Sequence, residues 1–231
     1  KHVHGFHDGW WHAEIAIPVK SMDIVAAGRT DAGVHDRIMM AHFDWEPILR
    51  EDLLHRLNAF LPDDIAVQWI RAVRPDAHAR FDALSRTYQY RLVQYKDPFE
   101  QDRAYYLAHP LDFAAMNRAA DLLLEHSDFE AFSRVHTDVK TFICDISHAQ
   151  WEREGVVWVF TITADRFLRN MVRAVVGTLL EVGKGKITPG DVKSIIKSRD
   201  RSRAGDSVPA KGLYLTGITY PETIYLTHGE R

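Results

Sequence analysis

Gly28-Arg29-Thr30-Asp31-Ala32-Gly33-Val34-His35 places an acid and a base between two glycines. Apolar runs flank it, Ile24-Val25-Ala26-Ala27 before and Ile38-Met39-Met40-Ala41-His42-Phe43 after, and each reads as a strand. Glycine at such a turn lets another segment or a ligand come close. Arg29 is a permanent cation suited to phosphate, and Asp31 is a short carboxylate on a constrained loop. On local chemistry alone the stretch reads first as a tight hairpin, because Asp-Ala-Gly is ordinary turn chemistry.

Two other places carry chemistry-bearing residues in unusual settings. In Arg86-Thr87-Tyr88-Gln89-Tyr90-Arg91-Leu92 a strand period puts Tyr88, Tyr90 and Leu92 on one face. Such a face is ordinarily half-buried sheet, yet a tyrosine ring can also stack on a nucleobase. Further on, Phe167, Met171, Val175 and Leu179 form one helical stripe, widened by Leu168, Val172, Val176 and Leu180. That stripe describes a buried helix with Arg173 inside it. Either Arg173 finds a partner, since an unpaired buried charge is costly, or it snorkels to solvent from the helix edge.

Other candidates are weaker. His2, His4, His7 and His12 invite a metal reading, but no cysteine is near and the spacing is not a helical i, i+4 pair. They read as solvated or core histidines, and no metal is expected. The single cysteine, Cys144, excludes an internal disulfide and suits a reducing cytosol. It sits in an apolar strand-like run and reads as a small core residue.

The 231 residues are enough for a sizeable core in one large or two small domains. Hydrophobic content of 46% and charged content of 26% are those of a soluble globular protein. No apolar run approaches the roughly 20 residues that span a bilayer. The net charge of −3 neither demands nor rejects a nucleic-acid partner, because basic residues are clustered. Lys197, Arg199, Arg201 and Arg203 share one segment, and Arg166, Arg169 and Arg173 another.

The elements that must position these residues alternate along the chain. Arg37–Trp45 reads as a strand, and Pro47 starts a helix with Leu49, Leu53, Leu54 and Leu57 on one face. Ala66–Val73 reads as a strand. Lys96-Asp97-Pro98 marks a break, which predicts one half over 1–97 and another over 98–231. Asp112 caps a helix carrying Met116, Ala119, Ala120, Leu123 and Leu124. Ile143–Trp151 and Val156–Ala164 form a strand pair. Thr188 is placed as an N-cap with Pro189 in the first helical position, and Lys197–Asp206 reads as a polar, basic loop.

The octapeptide resembles the signature loop of the tRNA pseudouridine synthase A family, and other segments resemble that family in the expected order over residues 24–221. Asn58–Ile65 is similar to its N-x-x-L-P-x-D-I segment and His78–Phe81 to its H-A-R-F element. Arg86–Tyr90 is similar to R-x-Y-x-Y, His126–Phe132 to H-D-F-x-x-F, Met171–Gly177 to M-V-R-x-x-V-G and Ala210–Leu215 to A-x-G-L-x-L. His7-Asp8-Gly9 and the following tryptophans resemble the family's opening Y-D-G and G-W. Only residues 12–23 then precede the strand at Ile24, too few for the family's amphipathic helix, so either this N-terminal subdomain is shortened or residues are missing there, and missing residues are the expectation because losing the helix would uncover one face of a sheet. The departures are Asp36 and Arg37, where the family more often has a small residue and then a G-Q-V-type strand.

The resemblance implies an α+β fold in which two similar α/β (ferredoxin- or RRM-like) halves share a continuous, mainly antiparallel sheet, with the active-site cleft between them. It implies conversion of uridine to pseudouridine at positions 38–40 of the tRNA anticodon stem-loop, in the cytoplasm, by a homodimer, without a cofactor. Asp31 would be the nucleophile, attacking the uracil ring or the ribose, and Arg173 would pair with it. Tyr88 would hold the flipped base, and its hydroxyl could take part in removing the C5 proton, while Tyr90 packs. Arg29, His35, Arg80 and Arg169 would contact RNA. An inactive RNA-binding module on the same fold is the alternative, which the joint presence of Asp31, Tyr88 and Arg173 disfavours. A phosphotransferase is poorer still, since the octapeptide holds only one carboxylate for a magnesium ion.

Overall fold

A computed structural model of the chain describes residues 23–44, 52–134 and 140–226. The expectations for residues 1–22, Trp45, Pro47 and Leu49 lie outside them. In chain order the elements are β1 (Val25–Ala26), β2 (His35–Asp36), β3 (Ala41–His42), α1 (Leu53–Phe60), β4 (Ser85–Val93), β5 (Tyr105–Tyr106), α2 (Phe113–Asp121), β6 (Ile146–Glu154), β7 (Val157–Ala164), α3 (Met171–Gly183), α4 (Pro189–Ser198) and β8 (Leu213–Thr219). The fold is α+β, and its main sheet is open and mainly antiparallel. The chain divides into two compact units. Among the described residues, one comprises 29–39, 83–134 and 140–219, and the other comprises 23–28, 40–44, 52–82 and 220–226.

The larger unit is built on a six-stranded sheet of order β2-β8-β4-β7-β6, with β5 beside β4. β4 lies antiparallel to both β7 and β8, whereas β2 joins β8 in parallel through His35↔Tyr214 and Asp36↔Leu215. The predicted alternation on β4 holds: Tyr90 and Leu92 are fully buried in the main core. Tyr90 also donates its hydroxyl to the Pro209 carbonyl at 2.9 Å, so its polar end is satisfied inside. Tyr88 is half-buried and packs against the same core.

Three helices in this unit carry the predicted signals. Asp112 accepts a hydrogen bond from Ala115 N at 2.9 Å and starts α2, which packs on β6, α3 and α4. Asn117 on α2 grips the edge strand β6 by bonding both the N–H and the C=O of Trp151, at 2.7 and 3.0 Å. That occupies backbone groups an edge strand would otherwise leave open. Thr188 and Asp191 form a capping box at the start of α4, with Pro189 just inside. α3 is buried at eleven of its thirteen residues, leaving Arg173 and Glu181 as the exceptions.

The segment 199–208 is not the simple loop its polarity suggests. A 3-10 turn spans Arg201–Arg203, and the Arg201 guanidinium ties down the carbonyls of Ala204 and Gly205 and the Ser207 hydroxyl. Gly205 and Asp206 then cross α3 at Gly177, where an added Cβ would run into the Asp206 backbone.

In the smaller unit β1 and β3 pair antiparallel, and Asn58 at the end of α1 clasps the backbone of Val67 with both atoms of its amide. Two strand expectations change here. Ala66–Val73 forms no ladder, only a single bridge from Val73 to Tyr225. The run predicted as one strand over 37–45 is interrupted: pairing occurs at His35–Asp36 with β8 and at Ala41–His42 with β1. Two different partners end each ladder after two residues.

Candidate active site

The loop between β1 and β2 carries Asp31, and short-range bonds set its path. Val34 N–H returns to the Asp31 carbonyl at 3.1 Å, and Gly33 takes φ 81°, a value that costs glycine little. Thr30 Oγ1 donates to Asp36 Oδ2 at 3.1 Å, closing the loop from side to side. Pairing of β2 with β8, continued by Arg37 N–H to the Leu215 carbonyl at 2.9 Å, anchors the exit.

Against this loop stands the start of α3. Arg173 Nη1 lies 3.3 Å from Asp31 Oδ2, and Arg173 Nε donates to the Val208 carbonyl at 2.7 Å. The buried arginine therefore has its partner, 142 positions earlier in the chain, and does not simply snorkel to solvent. Arg169 Nε lies 3.9 Å from the other oxygen, Asp31 Oδ1. Arg173 is mostly covered and Arg169 exposed, with side-chain exposures of 22% and 59%. The carboxylate, 28% exposed, thus meets a fixed cation on one oxygen and a solvent-facing one on the other. The left-handed Asn170 (φ 66°) separates the two arginines and is tied through its amide to the Ser207 hydroxyl at 2.5 Å.

Tyr88 projects from β4 with its ring edge-on to Phe167, centroids 5.2 Å apart at 90°. Burial pushes its phenol well above the ordinary tyrosine value, and the carboxylates of Asp36 and Asp31 add to this against the opposing Arg86. The hydroxyl therefore stays protonated at any ordinary pH. Asp36 behaves unlike a surface acid. Burial raises it to about 6, although the Thr30 hydrogen bond and His35 work the other way. Its Oδ1 is buried with no hydrogen-bond partner among the described residues.

The remaining sequence candidates are spread out. Arg29 is exposed on the loop. His35 is stacked on Tyr214, centroids 4.6 Å apart, and its Nε2 donates to the Asp102 carbonyl at 3.1 Å, so its ring is committed to packing. Arg80 belongs to the smaller unit, where its guanidinium lies 5.6 Å over the Phe81 ring, and that ring is 73% exposed. Nothing in the residue order marks the Val208 carbonyl as a partner of Arg173, or Asp36 as a partner of Thr30. A backbone acceptor leaves no mark in residue type, and an Asp after a turn is commonplace.

Residues 119–221 match a family model described as tRNA pseudouridine synthase. The chain is also similar to curated proteins named tRNA pseudouridine synthase A. It is 55% identical over 204 residues to the one from Parabacteroides distasonis, covering 87% of this chain and 81% of that one. It is 52% identical over 209 residues to the one from Bacteroides fragilis, covering 89% and 83%. With the one from Acetivibrio thermocellus it shares 40% over 204 residues, covering 87% and 84%.

Proposed function

Because the chain belongs to the tRNA pseudouridine synthase A family, we propose that it isomerises uridine in the anticodon stem-loop of tRNA, with Asp31 as the nucleophile. The reaction breaks the bond between uracil N1 and ribose C1′ and forms one between C5 and C1′. C5 loses a proton and N1 gains one, so no electrons enter or leave. A carboxylate suits such chemistry because it can bond covalently to the substrate and depart again. The observation that carries this reading is the Asp31–Arg173 contact, made by an arginine of an otherwise buried helix whose own Nε is fixed by Val208.

The other groups take roles consistent with that centre. The target uridine is stacked in RNA and must be flipped out before it can react. Tyr88 offers the ring against which the freed base stacks, backed by Phe167. Its protonated hydroxyl is suited to passing on the C5 proton rather than to taking it as a free phenolate. Arg169 and Arg29 are exposed and suit phosphate; Arg80 is taken as a separate RNA contact in the smaller unit, and His35, stacked on Tyr214, as a support for the exit of the Asp31 loop. The same reading takes the polypeptide as two α/β halves meeting at residues 97 and 98, working as a cytoplasmic homodimer.

The test is tritium release from tRNA transcripts labelled at uridine C5, for the parent and for Asp31→Asn, without added metal or cofactor. Release by the parent and none by the variant, with tRNA binding retained by both, is expected. Binding without release by either protein would replace the enzyme with an RNA-binding module.

A further inference from the structure

Asp36 stands where the family resemblance leads one to expect a small residue, and its surroundings are unusual for a charged side chain. Its backbone is fixed by the parallel pairing with Leu215. Its Oδ2 accepts from Thr30, the residue next to Asp31, while its Oδ1 is buried and unpartnered among the described residues. The titratable groups that face it are His35 on its own strand and Tyr88 on β4, where Arg86 and Asp31 also act. A buried carboxylate with one unsatisfied oxygen is costly to keep charged. It can accept a proton at Oδ1 without breaking any existing bond.

We infer that Asp36 is a positioning residue for the Asp31 loop: its carboxylate holds Thr30 while charged, and protonation at the unpartnered Oδ1 loosens the loop that presents Asp31. This inference rests on Asp31 being the nucleophile. An ionised acceptor makes a stronger hydrogen bond to a hydroxyl than a neutral carboxyl does. Titration of Asp36 therefore changes how firmly Thr30, and the adjoining Asp31, are held. Burial places that titration near pH 6 rather than at the ordinary value of 3.8. An acid whose folded value lies above its unfolded one loses stability for the fold as pH rises between the two. Charged Asp36 thus destabilises the protein at neutral pH while tightening its loop.

Single-turnover tritium release is measured from pH 5 to pH 8 for the parent, Asp36→Asn, Asp36→Ala, Thr30→Ala and the double variant Thr30→Ala/Asp36→Ala, and thermal midpoints are measured at pH 5 and pH 8. The parent rate is expected to fall below about pH 6, and Asp36→Asn to lack that fall. Asp36→Ala and Thr30→Ala are each expected to lower the rate about tenfold, as loss of one charge-assisted hydrogen bond would. The double variant is expected to be no slower than either single one, with tRNA affinity unchanged throughout. The midpoint gain of Asp36→Asn over the parent should be larger at pH 8 than at pH 5. A parent and Asp36→Asn with superimposable pH profiles, or losses that multiply in the double variant, would overturn the inference. An inactive parent would instead overturn the proposed isomerase activity. The midpoints would then stand alone, and a gain independent of pH would remove Asp36 as a titrating group.

Discussion

Arg173 and Asp31 face each other across 3.3 Å with the arginine held from behind by the Val208 carbonyl. A guanidinium can do this because its donors point in fixed, divergent directions, whereas an ammonium is a single point of charge.

Arg173→Lys therefore keeps the charge but not the geometry. We expect it to fold with a thermal midpoint close to the parent's and to lose about tenfold or more in turnover, a loss typical of a displaced charge-assisted contact. Circular dichroism and tritium release measured on the same preparation check both halves. Full activity in Arg173→Lys would show that charge alone is sufficient.

Tyr88→Phe separates ring from hydroxyl. The edge-on packing against Phe167 needs only the ring, so the fold and tRNA binding should persist. Turnover should fall by about 100-fold or more, the usual scale for a lost proton-transfer group. Tyr88→Ala should also weaken binding of the tRNA, through the lost stacking surface. Equal tRNA affinity in the Phe and Ala variants would remove the stacking role.

Gly177→Ala tests the crossing of α3 by the 205–206 segment. The new methyl would meet the Asp206 backbone, and Gly205 already lies with its own missing Cβ position 2.7 Å from the Gly177 carbonyl carbon. Neither neighbour is a flexible side-chain end. Destabilisation of about 3 kcal/mol is expected from such overpacking, read from urea denaturation. A variant as stable as the parent would mean that the segment moves aside freely.

Cys144 is fully buried, and burial pushes its thiol up to about 12. Thiolate-directed reagents should leave the native protein unlabelled for hours and react completely once it is unfolded. Mass spectrometry after iodoacetamide treatment with and without urea shows the difference. Rapid labelling of the folded form would indicate that β6 and its approach open readily.

Much of the arrangement was legible before any coordinates. A charged residue inside the apolar stripe of α3 had to be paired or sent to the surface, and the family resemblance implied Asp31 as the partner. Asp112, Thr188 and Pro189 announced two helix starts because capping is local chemistry. What stayed hidden depends on distant segments. Pairing of His35–Asp36 with Tyr214–Leu215 depends on residues about 180 positions away, and two paired residues are too few for a period to appear. The role of Asp36 was equally unreadable, since the same residue would be unremarkable had it faced water.

The parallel pairing of β2 with β8 also bears on when this protein can begin to work. As the chain leaves the ribosome, residues 29–36 emerge early, but the strand on which they dock is not made until residue 213. The cation for Asp31 appears only with residue 173, and the carbonyl that orients that cation only with residue 208. Contacts of such long sequence separation form late in folding. A nascent chain released before β8 therefore carries the complete signature loop and yet lacks the strand, the cation and the carbonyl that surround Asp31 in the folded protein.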